Sequence, residues 1–335
     1  MSRFEKAIPC LTYNNTQMQD GTGAQLQRIL AIYGVATKYQ LRYHHNAILR
    51  VEFNPGNSEN NENELVDDAN ALFRKVRKCN LMFHEKIFIH NRLTRSEKLR
   101  KHYFNCLKIL AFVQNKHSHY LISDPYLMID KSPNLYHDSA RKLIQCVDNK
   151  TDRKNTLDIK MHIIWAKVSK YKLSNRFTDL DWYKEVWNLI LSIFSDEFTL
   201  KLTIHTDAPE VSSYEKVKGF LTDETTQYWK EENIIDPNGQ LILNGLSTEV
   251  LRENFGECKI IRDMKPSEII KDLANSDIFI MAKSSLSFVA GVVNEDNAKI
   301  YSKFWHKTPL DWVEYDSSSS YELIQHLNKV KLTRI

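Results

Sequence analysis

Cysteine is sparse in this chain and badly placed for cross-linking. The five cysteines, Cys10, Cys79, Cys106, Cys146 and Cys258, are scattered, odd in number and without a CxxC pair. That argues against a disulfide framework and a structural zinc site, and makes a reducing compartment the expectation. Long apolar runs are missing too. No stretch reaches the length of a membrane span, and the opening MSRFEKAIPC holds no signal-peptide core, so a soluble, cytoplasmic protein with no membrane span is expected. Nor is there an excess of one charge. Lys plus Arg number 46 against 42 Asp plus Glu, a net charge of +4, so no domain-wide basic field calls for nucleic acid. The basic clusters Lys75–Lys78 and Arg95–Lys101 read as solvated helix faces. No internal repeat, GxSxG or Walker loop occurs. The histidines His44, His45, His84, His90, His117 and His119 offer no i,i+4 pair with a third ligand, so neither a metal nor another cofactor is expected.

What is present suffices for two globular cores. The chain has 335 residues, 42% of them hydrophobic, which suits two domains. Ala7–Tyr13 reads as a buried strand, followed by a polar turn, Asn14–Asp20, and an amphipathic helix opened by Gly21 and Gly23, with a short strand at Leu41–His45. Asn54–Glu64 reads as an exposed loop, Glu64–Gln114 as mainly helical, and Ser118–Ser123 as a strand. The charged stretch Val147–Asn155 is the candidate linker. Beyond it, strands are expected at Leu157–Trp165, Leu200–His205, Leu241–Asn244, Lys259–Arg262, Asp277–Ala282 and Ala298–Tyr301. Helices are expected between them at Trp182–Phe194, Pro266–Asn275 and Ser285–Val293. Such alternation predicts an α/β protein with mainly parallel, doubly wound sheets and a cleft at the strands' carboxyl ends. The divisions are residues 1–150, 156–320 and a terminal helix within 321–335 that crosses back to the first domain.

Four segments carry candidate chemistry. Asp20-Gly21-Thr22-Gly23-Ala24-Gln25 concentrates two of only nine glycines between a strand and a helix, where the backbone can turn tightly and face an anionic or polyhydroxyl ligand; a plain strand-to-helix turn explains it equally well. Lys283-Ser284-Ser285-Leu286-Ser287 joins an apolar strand to an apolar helix. Its hydroxyls and N–H groups suit a diphosphate, and simple N-capping is the competing reading. Thr206 and Asp207 follow the strand that ends at His205, where a carboxylate can accept from a ribose or base, or merely make a turn. Asp179-Leu180-Asp181 is formally a DxD, but it directly precedes a helix, where carboxylates are favoured without a metal.

The order of these segments resembles that of fucosyltransferase-like proteins, including protein O-fucosyltransferases and bacterial and algal relatives. The likeness runs through Leu11-Thr12-Tyr13, the Asp20–Tyr33 segment, Tyr43-His44-His45, Ser123-Asp124-Pro125-Tyr126 with Tyr136, and His162. It continues through Arg176-Phe177-Thr178 with Tyr183, His205-Thr206-Asp207, Ala274–Ala290 and Phe304-Trp305-His306. The resemblance implies two Rossmann-like domains facing a cleft, the arrangement called GT-B, and inverting, metal-independent transfer from a nucleotide sugar to a glycan or glycoprotein hydroxyl. It makes Asp20 the base, with His45 and Asp124 in reserve, and turns Gly21, Thr22, Gly23 and Gln25 toward the acceptor. It gives the donor to His162, Arg176, Thr206, Asp207, Lys283, Ser284 and Ser285, and Lys167 lies near in sequence. The family's HxRRGD segment is altered: Ile164 and Trp165 stand for the arginines, and Ala166 and Lys167 for Gly-Asp. Neither Ile nor Trp can make bidentate phosphate contacts. GDP-fucose or another donor such as UDP-xylose therefore both stay open, as does an inactive glycan- or nucleotide-binding module of the same fold. A third reading is an unrelated doubly wound enzyme whose Ser and Asp motifs are caps.

Overall fold

The computed structural model describes residues 8–15, 21–51, 62–73, 86–88, 97–114, 119–145, 155–165, 177–216, 230, 235–262, 264–316 and 320–332. The chain divides into two compact units. The first comprises Met1–Glu52, Asn61–Val147 and His306–Leu310; the second comprises Phe53–Asn60, Asp148–Trp305 and Asp311–Ile335. The candidate linker lies outside the described residues apart from its last residue, Asn155.

The first unit contains β1 (Cys10–Tyr13), α1 (Thr22–Lys38), β2 (Arg42–His44), α2 (Glu62–Ala71), β3 (Lys86–Phe88), α3 (Glu97–Gln114), β4 (His119–Ile122), α4 (Tyr126–Ile129) and α5 (Leu135–Leu143). Its four-stranded sheet runs β2-β1-β4-β3, parallel throughout. The strand β3 interrupts a stretch whose sequence pattern is helical. It spans three residues, too few for alternation to register, and its pairing with β4 supplies the backbone partners. Helix α1 is buried on nearly every side. Leu26, Ile29, Leu30, Ile32 and Val35 enter the core, and the buried Gln25 beside them has its amide engaged internally. The Gln25 amide accepts from Tyr13 Oη at 3.1 Å and donates to the Arg50 carbonyl at 2.6 Å, while the Arg28 guanidinium lies 5.8 Å from the centre of the Tyr126 ring. The returning segment contributes His306, stacked on Tyr126 with ring centres 4.0 Å apart, and the Leu310 N–H, which donates to Asn134 Oδ1.

The second unit contains β5 (Thr156–Ile163), α6 (Leu180–Phe194), β6 (Thr199–Thr206), β7 (Ser213–Lys216), β8 (Gln240–Leu243), α7 (Thr248–Phe255), β9 (Lys259–Ile261), α8 (Pro266–Ala274), β10 (Ile278–Met281), α9 (Ser285–Val293), β11 (Ala298–Tyr301), β12 (Val313–Glu314) and α10 (Ser320–Leu332). Six parallel strands form the sheet β12-β11-β10-β5-β6-β9. The strand read at Leu241–Asn244 is not part of it: β8 pairs antiparallel with β7 in a separate ladder. Counted from β5, the sheet order is 3-2-1-4-5-6, that of a doubly wound dinucleotide-binding sheet, with its switch point between β5 and β10.

The two faces of this sheet differ sharply. Alternate residues Leu157, Ile159, Met161, Ile163, Leu202, Ile204, Ile278, Ile280 and Ile300 join a core with side chains of α6, α7 and α10. The residues between them include Lys160, His162, Thr203, His205 and Lys299, and these are buried as well. The hydrogen bonds of that polar row run to side chains on α8 and α9 (Asp272 and Ser287) and to the Glu295–Asp311 region. Helix α10 packs in this second unit, where Leu323 and Leu327 fill the core and Lys331 Nζ donates to the Ile193 carbonyl at 2.9 Å. The segment that returns to the first unit is thus His306–Leu310, not the terminal helix. Among the described residues no helix is long and apolar enough to cross a membrane.

Candidate functional site

At the switch point of the second sheet, β5 and β10 lie side by side, and α6 and α9 pack on its opposite faces. The β10 loop is short. Ala282, Lys283 and Ser284 lead into α9, with Ser284 extended at φ −146° and ψ 139° and its Oγ accepting from the Leu286 N–H at 3.1 Å. Ser284 is therefore the N-cap, the bland alternative of the sequence reading, and Ser285 opens the helix, where N–H groups lack intrahelical acceptors. Lys283 is half-buried and its Nζ donates to the Phe177 carbonyl at 3.0 Å. Burial lowers its pKa, opposed by the charge of Glu314. The segment before α6 is thus held against the β10 loop.

His162 sits just below this edge. Its Nδ1 lies 2.6 Å from Ser287 Oγ, in the first turn of α9. Burial, with the neighbouring His205 adding to it, pushes the imidazole down to about 3, so the ring is neutral at physiological pH. Beyond β5, the Trp165 N–H donates to Asp207 Oδ1 at 2.6 Å, and the Trp165 ring lies 5.7 Å from Phe177. Thr206 Oγ1 accepts from the Ala208 N–H at 3.2 Å. Both Thr206 and Asp207 therefore brace the strand ends as well as lining the edge. His162, Thr206, Asp207, Lys283, Ser284 and Ser285 all gather along this carboxyl edge. Lys167 and Arg176 lie outside the described residues.

Three further residues, Lys160, His205 and Asp272, escaped the sequence reading as a group. Lys160 Nζ is 3.0 Å from Asp272 Oδ1 and 3.4 Å from Asp158 Oδ2, while His205 Nε2 is 2.6 Å from Asp272 Oδ2. Burial raises the Asp272 pKa, but the His205 hydrogen bond and the Lys160 charge outweigh it and hold the carboxyl at about 2. His205 Nδ1 is a buried atom without a hydrogen-bond partner among the described residues. The available signal was the recurrence of polar residues at alternate positions of both strands. Asp272→Asn leaves the buried ammonium of Lys160 short of its counter-charge and is expected to cost roughly 2–3 kcal/mol of stability. Urea melts at pH 7 check this, and a loss below about 1 kcal/mol contradicts it.

In the first unit Asp20 lies outside the described residues, and Gly21 is the N-cap of α1. Gly21 has φ −62° and ψ 156°, an extended conformation open to any residue, so the turn does not require a glycine there. Thr22 and Gly23 are buried in the first turn, and Gln25 has its amide engaged inside the unit as described. His45 Nδ1 is 2.9 Å from Tyr43 Oη, and burial raises the Tyr43 pKa, which keeps the phenol protonated. When that hydroxyl donates, the His45 proton resides on Nε2 and the ring is a donor at its other edge. Asp124 Oδ1 accepts from the Tyr126 N–H at 3.2 Å, a turn contact before α4. In the second unit Asp179 caps α6 by accepting from the Asp181 N–H at 3.2 Å. Among the described residues no group of three or more His, Cys, Asp or Glu is placed to hold a metal ion.

No family model matches the chain, and no curated protein matches it. Solved structures similar to it include the following two. ADP-heptose lipopolysaccharide heptosyltransferase II of E. coli is 10% identical over 97% of this chain and 99% of that one, with a TM-score of 0.40. The DNA-modifying enzyme β-glucosyltransferase, solved with and without uridine diphosphoglucose, is 9% identical over 98% of this chain and 90% of that one, with a TM-score of 0.28.

Proposed function

We propose that the protein transfers a sugar from a nucleotide-sugar donor to a hydroxyl of a glycan acceptor. The observation that carries this reading is the strand order 3-2-1-4-5-6, with six donor-side candidates along the edge where such a sheet receives a nucleotide. The resemblance to fucosyltransferase-like proteins supplies the reaction class, which a fold alone does not. In this reading the α9 N-terminus and Lys283 receive the donor diphosphate, and Asp207 with Thr206 meets the nucleoside side. The acceptor oxygen attacks the anomeric carbon as its bond to the diphosphate breaks. Asp20 takes the hydroxyl proton, the nucleoside diphosphate leaves with the bonding pair, and configuration inverts. The capping role of Asp179 supports transfer without a DxD-bound metal. With Trp165 in place of a motif arginine, GDP-fucose need not be the preferred donor.

A nucleoside diphosphate is expected to raise the melting temperature, because a ligand that binds only the folded state stabilises it. Ser284→Ala with Ser285→Ala should lower the unliganded stability by about 1 kcal/mol through the lost cap and reduce the ligand-induced rise. An undiminished rise in that variant would return both serines to structure alone. Incubation with GDP-fucose, UDP-xylose, UDP-galactose and GDP-mannose, scored by nucleotide release and product mass, tests the reaction. Nucleotide binding without turnover on any donor and acceptor pair would favour the inactive binding module.

A further inference from the structure

Helix α3 carries an apolar face that the first unit does not use. Arg100, Phe104 and Leu107 are buried, whereas Leu99, Ile109, Leu110 and Val113 are 62%, 63%, 51% and 73% exposed. At 3.6 residues per turn these four exposed side chains, with Cys106 and the exposed His102, fall within about 100° of the helix circumference, an arc that is aliphatic apart from that imidazole and the thiol. Lys98, Lys101 and Lys108 occupy the adjoining arc, and the helix contains one acidic residue, Glu97. An aliphatic arc edged by lysines is uncommon at a protein interface, where Lys, Leu and Val are under-represented and aromatic residues and Arg carry the binding. It is the composition of a helix lying in the surface of an anionic bilayer. There the aliphatic side chains enter the acyl boundary while lysines meet the headgroups.

We propose that α3 docks the protein peripherally on anionic lipid surfaces, its axis in the plane of the membrane. The positive edge selects the headgroup charge, and the aliphatic arc supplies the insertion. The proposal is independent of the sugar-transfer reading, since it rests on a helix remote in sequence from every donor-side candidate.

Flotation of the full chain with vesicles is the test, comparing phosphatidylcholine alone with phosphatidylcholine–phosphatidylglycerol mixtures. Binding is expected to the mixed vesicles only and to weaken with added salt. Replacing Lys98, Lys101 and Lys108 by Gln should lower the partition coefficient by about 10²-fold, each lysine contributing roughly five-fold. Replacing Ile109, Leu110 and Val113 by Ser should lower it at least about ten-fold. The side chains in this second set are exposed, so melting temperature and far-ultraviolet circular dichroism should stay unchanged. Should it nevertheless fail to fold, the lysine variant and the salt dependence decide. Equal binding to both vesicle types, no binding to either, or variants that bind like the parent each overturn the proposal. So does a dimer in sedimentation that the variants abolish, which would give the face to a second copy. An acidic amphipathic peptide binding this face without vesicle binding would give it to a protein partner.

Discussion

Lowering the pH from 6.5 to 4.5 is expected to remove roughly 5 kcal/mol of folding stability through two imidazoles alone. Burial, with His205 beside it, holds His162 at about 3, and burial, with Arg28 beside it, holds His306 at about 4. The unfolded chain protonates both near 6.5. Below that pH the unfolded state binds more protons, so stability is full above 6.5 and falls as the pH drops toward the folded values. Each group contributes about 1.4 kcal/mol per pH unit, a large share of the 5–15 kcal/mol typical of a domain. Asp272 adds a later loss of the same direction, as the pH falls from its ordinary 3.8 to about 2. Urea melts at pH 7, 6, 5 and 4.5 measure the slope, and His162→Gln should halve it whatever that substitution does to the level at pH 7. Stability that stays flat between pH 6.5 and 5 would show that these rings titrate in the folded protein as they do in solution.

Asp20→Asn is expected to reduce sugar transfer by about 10² or more while leaving donor protection nearly intact. Asp20 directly precedes Gly21, the N-cap of α1, in the sequence. A carboxylate can accept the hydroxyl proton, and asparagine keeps its size without that capacity. His45→Gln is the comparison. Its Nδ1 is 2.9 Å from Tyr43 Oη, so this substitution should alter turnover much less. The decisive measurement is initial rate at saturating donor for both variants. Near-normal turnover in Asp20→Asn together with a large loss in His45→Gln would exchange the two roles.

The elements easiest to read were those whose sequence changes period abruptly. The apolar run, two serines and the apolar helix after them give β10 (Ile278–Met281) inside the expected Asp277–Ala282, the cap, and α9 with the bounds expected. Ala298–Tyr301 behaves likewise. Lys86–Phe88 was missed because a three-residue strand shows no periodicity and exists through its neighbour β4. Leu241–Asn244 has the right composition for a strand but the wrong partner, since nothing local distinguishes the main sheet from the β7–β8 ladder. The donor-side candidates could be placed at strand ends from their local context. The pairing of His162 with Ser287, and of Asp272 with Lys160 and His205, could not. Those partners lie 125, 112 and 67 residues apart, and only the strand order brings them together.

The return of His306–Leu310 to the first unit has a consequence for cooperativity. That unit is discontinuous in the chain: its sheet and helices end by residue 147, but one wall of its aromatic packing is delivered after five of the six strands of the second sheet have been traversed. A fragment ending at the linker would strip Tyr126 of its stacked ring and Asn134 of the Leu310 N–H. Loss of order in the second unit would withdraw the same five residues from the first. A chain that leaves the first unit and returns to it after residue 305 ties the folding of the two units together, and this favours a single unfolding transition over two.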